Sequence, residues 1–191
     1  MNLEEMRKKL SQELSYVRYQ HVLNVEETAI KLAEHYGAPV KKARTAALLH
    51  DCAKPLSRKH LLRILEGFDI VVDDTEKSLT PVLHAPVGAI MAEEEYGVDD
   101  PDILRAIRYH TIGTPDMRLL DKIIYLADYI EPGRVCSGID QVRKLAFANI
   151  DKAIIKASSN SLVYEIGRDN LIHLNTVKMR NALLERVKKD D

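Results

Sequence analysis

His50 and Asp51 are adjacent in the chain, and a neutral imidazole beside a carboxylate suits Mn, Fe, Co, Ni or Zn. Successive helical residues point about 100° apart, so the two share no face, yet both can converge on an ion lying between their directions. Two ligands do not complete a site, and the others must come from different helices. His21 lies within Val17-Arg18-Tyr19-Gln20-His21-Val22. It comes level with His50 if its helix packs antiparallel against the one that ends at Asp51. Asp128 sits in Tyr125-Leu126-Ala127-Asp128-Tyr129-Ile130, an apolar stretch where a carboxylate must be paired or metal-bound, because an isolated buried charge is costly. One histidine on an apolar helix is more often a core residue than a ligand, and a single HD dipeptide is common by chance. The order H, HD, D, all on helices, is what carries information.

The elements that must position these residues read as helices throughout. From Arg18 to Tyr36, apolar residues fall at three- and four-residue steps and Gly37 follows as a C-terminal cap. Pro39 opens a second helix that runs to His50 and Asp51, where Lys54-Pro55 stops it. Ser57 caps a third that ends near Gly67, and Asp69-Ile70-Val71-Val72-Asp73 reads as a loop or turn. Helices are then expected from Pro86 to Tyr96, from Pro101 to His110 with Asp100 as cap, and from Met117 to Ile130. Asp140 caps a segment reaching Phe147, and Asp151 to Gly167 and Asn175 to Lys188 complete an all-α chain. With no fixed-period repeat and no linker-like composition, 1–191 reads as a compact, single-domain helical bundle with a metal site between helices.

Composition narrows the function classes. Of 191 residues, 46% are hydrophobic and 30% charged, which supports one sizeable core. The 28 Lys plus Arg balance 29 Asp plus Glu to a net charge of −1. No broad field draws in duplex nucleic acid or an anionic membrane, so an anionic ligand must be held by local charge. The start of the sequence is too charged for a secretory signal, and no run reaches the roughly 18–20 apolar residues of a bilayer span. Cys52 and Cys136 read as reduced thiols, and the expected setting is cytoplasmic.

With these motifs placed, the chain resembles the HD superfamily of metal-dependent phosphohydrolases over roughly Arg18 to Asp128. More narrowly, it resembles the YqeK-type family of bacterial symmetrical diadenosine tetraphosphate hydrolases. Five stretches carry that likeness: His21-Val22-Leu23-Asn24-Val25, Ala46 to Lys54, Leu83-His84-Ala85-Pro86-Val87-Gly88-Ala89, Ile107-Arg108-Tyr109-His110-Thr111-Ile112-Gly113, and Ile124 to Arg134. No HHExxDGxGYP block is present, which argues against an HD-GYP cyclic-di-GMP phosphodiesterase. The resemblance implies an HD core at about 18–130 with C-terminal helices at 140–188 completing the domain. It implies His21, His50, Asp51 and Asp128 as ligands of one divalent metal, iron first, with Mn, Co or Zn as alternatives. His84 and His110 line the same pocket, to complete a second metal site or to bind phosphate.

A polyphosphate needs cations beside those carboxylates. Lys54, three residues after Asp51, and Arg134, beyond Pro132-Gly133, are best placed, and Arg18 lies one turn before His21 on its side of the helix. With His84, His110, Thr111 and Asp128, these form the expected nucleotide-binding set. The 167–175 loop adds Asn170 and Asn175, which could read a base edge or only cap a turn. His35 and His60 are expected to play no part. The residues themselves point to a phosphohydrolase, and the resemblance implies attack of metal-bound hydroxide between the central phosphates of a dinucleoside tetraphosphate to give two ADP, with Asp51 and Lys54 as catalytic residues. An HD-type nucleotidase or phosphodiesterase acting on another nucleotide, and a non-catalytic nucleotide sensor, are the rivals. A homodimer is compatible with the apolar residues of the last two helices.

Overall fold

The computed structural model describes residues 1–68 and 72–190. Among the described residues there are eleven helices: α1 (Leu3–Glu13), α2 (Tyr16–Tyr36), α3 (Val40–Leu49), α4 (Arg58–Gly67), α5 (Asp74–Ser78), α6 (Thr80–Glu94), α7 (Pro101–Tyr109), α8 (Leu119–Ile130), α9 (Ile139–Ala146), α10 (Ile150–Ile166) and α11 (Leu174–Asp190). The first three residues of the Asp69–Asp73 run lie outside the described residues. No described helix is long and apolar enough to cross a membrane.

Local chemistry explains most boundaries. Gly37 ends α2 in the left-handed conformation at φ +67°, where glycine meets no Cβ penalty. Ser57 accepts from the His60 N–H to start α4, and Asp100 accepts from the Asp102 N–H to start α7. Several expected boundaries move, among them the start of α8, which is Leu119 rather than Met117. Helix α6 begins at Thr80, and Pro81 takes the N-terminal position that Pro86 was expected to hold. Pro86 lies inside the helix, flanked by buried His84, Ala85, Val87 and Gly88, so packing outweighs the one backbone bond that proline removes. Gly138, not Asp140, precedes α9, and α11 starts at Leu174, one residue before Asn175.

Helices α2 and α3 pack as a tight antiparallel pair, with α7 and α8 against them. Their shared core runs from Met6 and Leu10 through Val22, Leu32, Leu48, Ile107, Ile124 and Leu126 to Ile154, Met179 and Leu183. Residues of α1 and α11 are thus buried in one continuous cluster. A smaller cluster, with Leu61, Leu65, Leu83 and Val87, holds α4 on α6. Among the C-terminal apolar residues, Met179 and Leu183 join the core, whereas Val163, Ile166, Leu171 and Leu174 are exposed. Helix α5 is tied to α7 by Glu76, whose buried carboxylate lies 2.7 Å from one Arg108 guanidinium nitrogen and accepts from another at 3.1 Å. The start of α2 and the ends of α3 and α7 bring His21, His50 and His110 toward Asp128 of α8, and the first half of α6 brings His84 against Asp51 and His110.

Candidate metal and phosphate site

Two helices end in the same way. His50 follows α3 and His110 follows α7, and each ring folds back so that Nδ1 lies 2.7 Å from Ala47 O and 2.8 Å from Ile107 O. A carbonyl only accepts, so Nδ1 carries the proton in both rings and the bond serves one orphan carbonyl of the last turn. Both Nε2 lone pairs therefore point to the space between the helices. The ring centroids of His50 and His110 are 4.9 Å apart, and those of His21 and His50 are 5.4 Å apart, as the antiparallel packing of α2 on α3 requires.

Asp51 sits at the centre with one oxygen turned each way. Its Oδ2 lies 2.7 Å from the Arg18 guanidinium, 3.6 Å from His50 Nε2 and 3.7 Å from His21 Nε2. Its Oδ1 lies 3.0 Å from His84 Nε2 and 3.9 Å from His110 Nε2. On the far side of His84, the Lys54 ammonium is 3.2 Å from Nδ1 and 3.5 Å from the Pro81 carbonyl. Lys54 thus touches the α6 side of the cluster, in the turn that follows α3.

His21 reaches the same space from α2. Its Nδ1 donates to Glu131 Oε1 at 3.2 Å, while Glu131 Oε2 accepts from Asn24 at 2.9 Å and from the Gly133 N–H at 2.6 Å. That leaves Nε2 opposite Asp128 Oδ1 at 3.1 Å, a spacing that calls for a proton on Nε2 or a cation between the two atoms. The Nε2 atoms of His21 and His50 are both buried without a hydrogen-bond partner, a costly condition unless a ligand satisfies them. Three overlapping trios, His21–His50–Asp51, His50–His110–Asp128 and Asp51–His84–His110, each bring their ligand atoms within 4.8 Å of one another. Imidazole nitrogens and carboxylates at this spacing fit a divalent metal. Arg134 closes the cluster, donating to Asp128 Oδ1 at 2.6 Å and to the Asp128 carbonyl at 3.1 Å.

The electrostatics prepare the donors. Burial alone raises a carboxyl pKa, yet the surrounding His50, His84 and His110 hold Asp51 well below its ordinary value. Asp128 is likewise held low against burial by His21, His50, Arg134 and His110. Burial lowers His50, and burial with the neighbouring His50 and His84 rings pushes His110 down to about 3. His21 is raised, because Asp128, Glu131 and Asp51 outweigh the effect of burial. The carboxylates are charged and the His50 and His110 rings neutral, the forms that coordinate a cation. Burial also lowers Lys54.

Two hollows lead away from the cluster. One, of about 580 Å³, runs from Thr80-Pro81-Val82 to the loop of Asn170 and His173. The other, of about 410 Å³, runs from His110, Asp128 and Arg134 to Tyr129, Asn160 and Tyr164. Thr111, Tyr125, Ser161 and Glu165 form their common wall. Of the expected residues, His21, His50, Asp51, His84, His110, Asp128, Arg18, Lys54 and Arg134 gather in one place, with Thr111 beside them. Asn170 faces the larger hollow with its amide bonded to Glu165 at 2.7 Å. Asn175 lines neither hollow, and its N–H is capped by the His173 ring at 3.1 Å. His35 packs on Tyr36 and Phe147. Sequence reasoning misses Glu131 and Asn24 altogether. The only signal was a glutamate closing an apolar helix just before Pro132-Gly133.

A helical fold with histidines and aspartates from five helices or their ends around one centre defines the HD domain class, and the HD domain family matches residues 18–133. The structure superposes on a crystal structure from Clostridium acetobutylicum, described as a predicted HD superfamily hydrolase involved in NAD metabolism. The TM-score is 0.95 at 39% identity, covering 97% of this chain and 98% of that one. The symmetrical bis(5'-nucleosyl)-tetraphosphatase of Bacillus subtilis (strain 168) is 42% identical over 186 residues, 96% of this chain and 98% of the relative. That of Staphylococcus aureus (strain NCTC 8325 / PS 47) is 36% identical over the whole of both chains. The chain belongs to this family of HD-domain phosphohydrolases.

Proposed function

We propose that this protein hydrolyses diadenosine tetraphosphate, or a closely similar dinucleoside tetraphosphate, symmetrically to two ADP. The observation that carries the reading is the pair of buried, unpartnered Nε2 atoms of His21 and His50 facing the Asp51 and Asp128 carboxylates, with Lys54 and Arg134 at the rim. The names of the full-length relatives supply the substrate. His21, His50, Asp51 and Asp128 would hold the divalent metal. Iron is our first assignment because the family resemblance suggests it, and the mixed imidazole and carboxylate set suits Mn, Co and Zn as well. When bound, such an ion acidifies water and neutralises phosphate charge.

The chain's own residues account for the rest. Asp51 orients the attacking water or takes its proton, since its two oxygens face both halves of the cluster. Lys54 and Arg134 hold the phosphate oxygens on opposite sides and stabilise the charge that develops there. Arg18 neutralises Asp51 and extends the cationic rim. His84 and His110 complete a second metal position or bind phosphate directly. Water oxygen bonds to one central phosphorus, the bridging P–O bond breaks, and the bridging oxygen leaves with the second ADP. The larger hollow, with Thr80 and the Asn170 loop, takes one nucleoside.

The reading is tested by incubating the purified protein with Fe(II), Mn(II) or Co(II) and a panel of dinucleoside polyphosphates, nucleotides and cyclic nucleotides. The highest kcat/KM is expected for diadenosine tetraphosphate. A higher value for a mononucleotide or a cyclic nucleotide would move the protein to a different phosphoester. The continuous core from Met6 to Leu183 supports reading the whole chain as one catalytic unit.

A further inference from the structure

A dinucleoside tetraphosphate carries two identical nucleosides, one at each end of four phosphates. A site that acts on the central bond therefore has a nucleoside on each side of it, and one hollow accounts for only half of the ligand. The larger hollow begins at Pro81, whose carbonyl lies beside Lys54. The smaller begins at His110, Asp128 and Arg134 and is divided from the larger by the shared wall of Thr111, Tyr125, Ser161 and Glu165.

The smaller hollow has the chemistry of a nucleoside site. Its volume, about 410 Å³, lies in the range of about 300–1,000 Å³ common for small-molecule pockets. Arg134 stands at its inner end, where phosphate would enter. Tyr164 and Val135 stand at its outer end with 59% and 95% of their surface exposed. The Tyr164 ring is steadied by the Arg168 guanidinium 5.4 Å from its centroid. An exposed aromatic ring beside a phosphate-binding cation offers a stacking face to a base. The Asn160 amide, which lines this hollow, makes a long 3.5 Å contact to Ser137 O and pairs with the Tyr129 hydroxyl, so it brings a polar edge to the pocket.

We propose that this smaller hollow seats the second nucleoside of the substrate, with its base on Tyr164, while the larger hollow seats the first. The inference rests on the dinucleoside tetraphosphatase reading above. It makes the enzyme select for substrates with two nucleosides.

The test compares kcat/KM for diadenosine tetraphosphate and for adenosine 5'-tetraphosphate, which has the same phosphates and one nucleoside. The proteins are the metal-loaded wild type, Tyr164→Ala, and Ser137→Trp, whose indole fills the hollow. Both changes fall on exposed positions, and thermal unfolding checks the fold. Each variant is expected to lower the value for the dinucleoside about tenfold, as loss of one base stack gives, and that for the mononucleoside less than twofold. Equal losses on both substrates, or no loss in either variant, overturn the proposal. Equal losses accompanied by a halved mass in light scattering would assign the face to a second copy of the chain instead. Wild type that releases no ADP from diadenosine tetraphosphate refutes the underlying reading, an outcome distinct from all of these.

Discussion

His50 and His110 show how much a single hydrogen bond decides. Each ring spends Nδ1 on a carbonyl three residues back, which fixes the tautomer and aims Nε2 at the cluster. His21 has no helix end to use, and Glu131 does the same work from a different element. Outer partners of this kind commonly change metal affinity by about 10–100-fold. Glu131→Gln is accordingly expected to weaken metal binding by about that factor while leaving a folded chain, and calorimetric titration of the metal-free protein measures it. Unchanged affinity would show that His21 is oriented by something else. His50→Ala and Asp51→Asn should each abolish stoichiometric metal in elemental analysis and lower turnover at least about 100-fold. At this scale the gathering of His21, His50, Asp51 and Asp128 was legible, because H, HD and D are chemical types in a fixed order. Glu131 was not, because it matters only through a fold that closes 110 residues between it and His21.

Elements place these rings, and their punctuation was mostly legible. Gly37, Ser57 and Asp100 mark helix ends through local hydrogen bonds or a positive φ, all of which a short stretch of sequence encodes. Pro86 misleads, because its place inside α6 depends on packing: its buried neighbours keep the segment helical despite a missing bond. The consequence is functional, since His84 then lies within a buried helical turn beside Asp51 rather than in a preceding loop. Helices α1 and α5 were not expected, one being strongly charged and the other five residues long. The turn after α7 carries the clearest mechanical prediction. Gly113 has φ +67°, and a Cβ there would collide with Met179 of α11. Gly113→Ala should therefore destabilise the protein by about 2 kcal/mol or more, through left-handed strain and overpacking. In a chain of this size that lowers Tm by roughly 4–8 °C, and differential scanning calorimetry reads it. A shift below about 1 °C would mean that α11 yields freely.

For the whole molecule, near-neutral net charge hides a concentrated site. Arg18, Lys54 and Arg134 surround two carboxylates and the four imidazoles of His21, His50, His84 and His110, so positive charge gathers where phosphates would lie even though the chain sums to −1. Metal binding to that site stabilises the folded state by mass action, about 2.7 kcal/mol at a metal concentration 100 times Kd. Stripping the metal with a chelator should lower Tm by roughly 5–10 °C, and adding it back should restore both Tm and turnover. An unchanged Tm would place the metal away from the core-linked cluster. Symmetry of cleavage is the central claim, and product analysis tests it most directly. After one round of hydrolysis of diadenosine tetraphosphate by the metal-loaded protein, chromatography should show ADP alone, two per substrate consumed. ATP and AMP in equal amounts, or no product at all, would contradict it.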